Sequence, residues 1–274
     1  MQKLIIILFF SIGIIISNTV KGANENYPVG AGHAGMANAT VMVSDVWANY
    51  HNQAGLSNID NTCIGFYFEN RFNISELGLQ SVVFALPTNS GVFGVSLSHF
   101  GYSVYSESKA GLAFGKSFGE QFSAGIQFDY FYLQQPEDYG NFGIFAVEMG
   151  IQAEPVENLL LGAHVFNITR AKISDFQDER MPTIMRIGMG YRFSENLLVT
   201  METEKDLDEK ARFKAGIEYL FRKNIFLRTG IATNPTQNYI GIGYTLNKIK
   251  ADIAFSFDPI LPMTTHVSLS YSFN

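Results

Sequence analysis

The chain has 274 residues with 19 Lys and Arg against 25 Asp and Glu, a net charge of −6, so it lacks the basic footprint of a nucleic-acid binder. Its single cysteine, Cys63, excludes an internal disulfide framework. Hydrophobic residues make up 47% and charged residues 16%. No apolar run after the first 22 residues nears helical spanning length, a combination that suits a barrel, in which only alternate residues meet lipid.

Residues 1–22 read as a cleaved signal peptide, with Lys3, an apolar run from Leu4 to Ile16, and small or polar residues up to a Val20-x-Gly22 site. The mature protein is therefore expected to be exported. Residues 23–60 read as a plug. The stretch GAGHAGMANATVMVSDVWANYHNQAGL, Gly30 to Leu56, is rich in Gly, Ala and Asn and holds the sole tryptophan, Trp47. Small residues let a backbone fold tightly in a confined space, and Val41, Met42, Val43, Val46 and Trp47 are expected to give the plug one apolar side.

Residues 61–274 alternate polar and apolar almost throughout. They divide into segments at 62–71, 77–86, 91–100, 108–118, 121–133, 141–153, 158–168, 183–193, 196–205, 211–221, 224–233, 238–246, 249–258 and 265–274, each long enough for a tilted spanning strand. The predicted fold class is all-β: a membrane β-barrel of about 14 antiparallel strands with an N-terminal plug. Even-numbered segments end in short turns such as Gly119-Glu120, Ser194-Glu195, Arg222-Lys223 and Asn247-Lys248. Many odd-numbered ones end in longer connections, including 169–182, read as plain loop. Bacterial barrels place short turns in the periplasm, which puts both termini on that side. Aromatics flanking the short turns, such as Phe118 and Phe193, with Tyr191, Tyr219 and Tyr271, suit an interfacial girdle.

The plug segment resembles the N-terminal region of FadL-like outer-membrane proteins, in particular the PorV/PorQ branch of Bacteroidetes. The matching residues are Gly30, Gly32, Ala34, Gly35 and Met36, then Asp45, Trp47 and Ala48, then Asn52, Ala54, Gly55 and Leu56. The family's Asn-Pro-Ala-Gly-Leu signature has Gln53 here in place of Pro. The stretch AGIEYLFRKNIFLRTGIA from Ala215 to Ala232, and the closing strand in which Val267, Leu269, Tyr271 and Phe273 alternate with His266, Ser268, Ser270 and Ser272, extend the resemblance over most of the mature chain. The FadL-like resemblance implies a plugged barrel that passes hydrophobic small molecules. The PorV/PorQ resemblance implies work beside type IX secretion machinery, handling or anchoring exported proteins. A structural barrel without transport is the third reading.

Parity assigns the two faces of the wall. In the eighth segment Met185, Ile187, Met189, Tyr191 and Phe193 share one side and Arg186, Gly188, Gly190 and Arg192 the other. Arginine at mid-membrane depth costs roughly 2–4 kcal/mol, so the arginines face the lumen. Neighbouring segments then direct Glu202, Glu204, Arg212, Lys214, Glu218, Arg228, Lys250 and Asp252 inward. Opposite charges on adjacent strands pair across a sheet, so Arg186, Arg192, Glu202, Glu204, Lys214, Glu218 and Arg228 read as a structural ionic ladder or, alternatively, a polar path. On the opposite wall Glu69, Arg71, Asp129, Glu148 and His164 point inward beside Val83, Phe131, Ile144, Leu160 and Phe166, with Phe226 on the far side. An amphipathic ligand, its tail along Phe166 and Phe226 and its head near Arg186, Arg228, Glu148 and His164, suits that mixture.

Five histidines show no metal-ligand spacing, Ser98 and His99 fall on opposite strand faces, and no nucleophile elbow or phosphate loop is present. The expectation is a non-enzyme without metal or cofactor. Its expected partners are outer-membrane lipid, a hydrophobic small molecule and secretion-machinery proteins, but not nucleic acid.

Overall fold

The computed structural model describes residues 27–136, 140–174 and 179–273. The expected signal peptide, the first residues of the expected plug and Asn274 lie outside them. The chain first folds into a compact segment with two short helices, α1 (Ala31–Ala34) and α2 (Ala48–His51), and a 3₁₀ helix at Gln53–Asn58. Strands β1 (Cys63–Asn70), β2 (Gly78–Thr88), β3 (Gly91–Gly101), β4 (Ser106–Ser117), β5 (Phe122–Gln134), β6 (Phe142–Val156) and β7 (Leu159–Phe166) follow. A small ribbon, β8 (Lys172–Ser174) and β9 (Glu179–Arg180), precedes β10 (Ile184–Ser194), β11 (Leu197–Asp206), β12 (Arg212–Phe221), β13 (Ile225–Ala232), β14 (Gln237–Leu246), β15 (Ile249–Phe257) and β16 (Thr264–Ser272).

Fourteen of these strands close into one antiparallel barrel. Each pairs with its neighbour in sequence, except that β7 pairs with β10 past the ribbon and β16 returns to β1 with Cys63 opposite Ser272. The barrel strands fall within a few residues of the alternating segments. The ribbon is the departure: its strands of three and two residues are too short to carry a period-two signal, and the connection read as loop instead seats Met181 in the lumen, 2% exposed, its carbonyl accepting from Asn167 Nδ2 at 2.9 Å.

The wall obeys the parity argument. Ile187 is 65% exposed and Phe193 64%, while Arg186 between them is 5% exposed. Leu112, Phe128, Phe145, Met201, Phe213 and Ile240 continue an apolar outer surface around the barrel, far larger than a water-soluble monomer leaves uncovered. The turn end of the barrel carries the tight hairpins and both chain ends of the strand region. The loop end carries the longer connections and the ribbon.

The lumen is filled by residues 27–61. Their backbone approaches the wall at positions where the wall has no side chain. A Cβ on Gly125 would lie 2.3 Å from the carbonyl carbon of Gln53, and one on Gly162 would lie 2.4 Å from Val41 O. Gly216 and Gly230 repeat the approach on other strands, while at Gly94 and Gly150 the side chains of Asn49 and Asn52 come in. The expected single apolar side of the plug is not found. Val41 and Met42 pack on Leu160, whereas Val46 and Trp47 pack with Tyr50, Leu56, Tyr67 and Leu79 elsewhere on the wall. A segment enclosed on all sides buries apolar groups in every direction and has no solvent side to contrast with.

Candidate lumen site

The plug residues of the Asn-Gln-Ala-Gly-Leu stretch tie the segment to the barrel. Asn52 Nδ2 donates to Val41 O at 2.8 Å within the plug and to Ile151 O at 3.0 Å and Ala163 O at 3.2 Å on the wall, while its Oδ1 accepts from the amide of Ala54 at 3.1 Å. Gln53 supplies what a proline cannot: its Nε2 donates to Glu148 Oε2 at 2.7 Å. Gly55 lets the 3₁₀ helix pack against the chain at Val43, since a Cβ there would lie 2.9 Å from Val43 O. Asp45 Oδ1 accepts from the amide of Trp47 at 2.9 Å, and Oδ2 lies 2.8 Å from His33 Nε2. Burial alone would push the Asp45 carboxyl up, but His33 beside it outweighs that and holds it below the usual carboxylate range. The relay continues from His33 Nδ1 to Thr40 Oγ1 at 2.8 Å, from Thr40 to His51 Nδ1 at 3.3 Å, and from His51 Nε2, which donates to Val29 O at 2.8 Å.

The inward charges pair, but not as one ladder. Arg186 Nε donates to Glu204 Oε2 at 2.8 Å, and Lys214 reaches the same oxygen at 2.7 Å and Glu202 Oε1 at 3.2 Å. Glu202 also accepts from the amide of Val41 on the plug at 2.9 Å. Separately, Arg228 lies between Glu218 at 2.6 Å and Asp252 at 2.7 Å. Arg192 leaves both groups and meets Glu154 across the wall at 3.3 Å. Three clusters replace the continuous ladder because plug backbone, packed over Gly216 and Gly230, fills the lumen between the first two.

On the opposite wall Glu148 is fully buried and accepts from Lys109 at 2.6 Å and Gln53 at 2.7 Å, with His164 Nε2 2.9 Å away. Lys109 also lies 3.3 Å from Asp129. Sequence reasoning passed over Lys109, although its parity with Gly111, Ala113 and Gly115 marks it as inward. Phe166 meets Phe131 edge to face at 5.9 Å and packs with Ile144 and Met181, sealed away from open space.

Among the described residues, two cavities in the lumen take in residues chosen from sequence. One at the loop end, of about 810 Å³, has Arg71, Arg186, Glu204, Arg212, Tyr239 and His266 in its lining. One at the turn end, of about 280 Å³, has Asp45, Trp47, Phe226, Arg228, Lys250 and Asp252. Phe226 lies beneath two cations, Arg228 at 5.0 Å and Lys250 at 4.7 Å from its centroid. The residues chosen from sequence as one ligand site are therefore divided: Arg186 faces the loop-end cavity, Arg228 and Phe226 the turn-end cavity, and Phe166, Glu148 and His164 neither. A further hollow of about 650 Å³ lies in the wall itself, lined by outward Phe66, Phe68, Tyr130 and Tyr132 and by inward Ser81 and Lys109.

No protein-family model matches the chain, and no curated protein matches it. Solved structures do. The P. putida toluene transporter TodX superposes with a TM-score of 0.67 at 13% identity, covering 91% of this chain and 100% of that one. The Ralstonia pickettii toluene transporter TbuX gives 0.66 at 11%, covering 89% and 98%. A Pseudomonas aeruginosa FadL homologue gives 0.63 at 11%, covering 90% and 98%. What this chain shares with these proteins is the fold; in this chain it is a closed fourteen-stranded antiparallel barrel preceded by an N-terminal segment with short helices.

Proposed function

We propose that the protein is a plugged outer-membrane channel that admits a hydrophobic or amphipathic small molecule, with its turn end and both termini in the periplasm. The observation that carries this reading is the plug between two lumen cavities inside a barrel whose fold is that of hydrocarbon channels. A cargo entering the loop-end cavity meets the plug before it reaches the turn end, so the plug controls passage, and the wall hollow beside Phe66 and Tyr130 offers a sideways route into lipid. Loss of water-exposed apolar area drives such a cargo inward at roughly 25 cal/mol per Å².

The test is uptake of a fatty-acid-like probe into vesicles holding the protein, compared with protein-free vesicles and with a form lacking Gly30–Leu56. Protein-dependent uptake that changes on deleting the plug supports the channel. Uptake equal to empty vesicles, with no lipid carried through purification, overturns it. Exported proteins retained on the purified barrel would then favour the type IX secretion-accessory role that the PorV/PorQ resemblance implies, and their absence a structural barrel.

A further inference from the structure

The two arginines that the sequence singled out are both neutralised, whereas Arg212, which lines the loop-end cavity, holds no carboxylate among the described residues. Arg186 and Lys214 hold Glu204 and Glu202, Arg71 holds Glu69, Arg228 lies between two carboxylates, and Lys109 between two more. Arg212 instead donates from one terminal nitrogen to two neutral acceptors, Gln237 Oε1 at 2.5 Å and Tyr239 Oη at 3.0 Å, and its Nε is buried without an acceptor. Glu204 stands directly opposite it in register but is turned to Arg186 and Lys214. In the lining of the loop-end cavity Arg71 holds Glu69, and Arg186 and Lys214 hold Glu204, so Arg212 is a lining cation with no ion pair of its own among the described residues. Asp208 and Glu209 line the same cavity from the exposed β11–β12 loop, with the cations Arg180 and Lys210 in the lining beside them. Asp206, at the foot of that loop, accepts from the amide of Asp208 at 3.0 Å. His266 is occupied by Tyr67 at 2.8 Å and Ser256 at 3.1 Å.

A second unsatisfied atom belongs to the plug. Asn38 lines the same cavity, in a left-handed backbone conformation with φ of 54°, and its Oδ1 is buried without a donor. Wall and plug thus each bring one incompletely satisfied side chain to the lining of a space large enough for a small organic molecule; the unpaired atoms themselves are buried and turn toward that space only by a change of rotamer. A guanidinium selects a planar carboxylate through its fork of N–H donors, with charge assisting each bond.

We infer that Arg212 is an anion-receiving subsite in the loop-end cavity, taking the carboxylate of a small organic acid whose adjacent hydroxyl or amine reaches Asn38 on the plug. A ligand bridging wall and plug binds only when the plug is seated, and so stabilises that state by mass action. The subsite requires binding alone, so it stands even if no cargo crosses the barrel.

Calorimetry on the whole detergent-solubilised protein tests it with three probes: mandelate, phenylacetate, which lacks the hydroxyl, and phenylethanediol, which lacks the carboxylate. Mandelate is expected to bind severalfold tighter than phenylacetate, and the diol not at all. Arg212→Gln should weaken both acids at least tenfold, Arg212→Lys should restore part of that loss, and Arg192→Gln, outside this cavity, should change little. Asn38→Ala should erase the difference between the two acids while leaving phenylacetate unaffected. The proposal is overturned if no probe binds, if the diol binds as well as mandelate, or if barrels that remain heat-modifiable on gels bind mandelate equally with and without Arg212.

Discussion

The outer and inner faces of the same strands follow different rules. Outside β10, Met185, Ile187 and Met189 need only be apolar, because lipid accepts any shape. Inside, Arg186 must meet Glu204, and Gly188 must be bare, since a Cβ there would lie 2.7 Å from the backbone oxygen of Met201 on the next strand. One face is specified by a solvent and the other by a particular neighbour. The outer face therefore tolerates exchange within a class, whereas the inner face is expected to fail position by position.

Substitutions at graded depth sharpen that contrast. The largest effect is expected where an inner group is wholly enclosed: Glu148→Ala strands Lys109 and His164 without their shared carboxylate, and breaking a buried pair in this way costs about 3–5 kcal/mol, read as a lower unfolding midpoint. Ile187→Arg puts a cation in hydrocarbon at a cost of roughly 2–4 kcal/mol and should block heat-modifiable assembly, while its neighbour Arg186→Gln assembles. If both were tolerated equally, the assignment of faces would be wrong. Gly162→Leu crowds Val41 and should displace the plug without opening the barrel, at about 1–3 kcal/mol, detected as new protease cleavage within residues 27–61.

The smallest effect is a titration. Burial first, then the charges of His33 and Arg186, hold the His51 imidazole well below its usual range, against the opposing pull of Val29 O and Asp45. A base held low in the folded state is bound to fewer protons there than in the unfolded chain. The seated plug is therefore most stable above the unfolded value of about 6.5 and loosens as pH falls below it. Trp47 fluorescence between pH 7 and pH 5 should report that loosening, and His51→Gln should flatten the curve.

The same contrast explains what could be read from sequence. The strands, their outward faces and the parity of turn lengths were legible because lipid imposes period two on everything it touches. The inner face was legible in direction only. Arg186, Arg212 and Arg228 all point inward by parity, yet which of them finds a carboxylate depends on cross-strand register and on where plug backbone intervenes. Gln53 read as a departure from a motif, and its partner, Glu148, lies 95 residues away. The ribbon at Lys172–Arg180 was too short to show a period at all.

Only residues 59–62 lie between the 3₁₀ helix that ends at Asn58 and the start of β1 at Cys63. Four residues span at most about 14 Å, and β1 is also the strand that completes the ring by pairing with β16. The plug is therefore leashed to the seam where the first and last strands meet. Whatever draws β1 onto β16 also brings the plug within a short tether of its place, so the seam and the plug are held close in space. A plug supplied as a separate peptide to a finished barrel would have lost its guide.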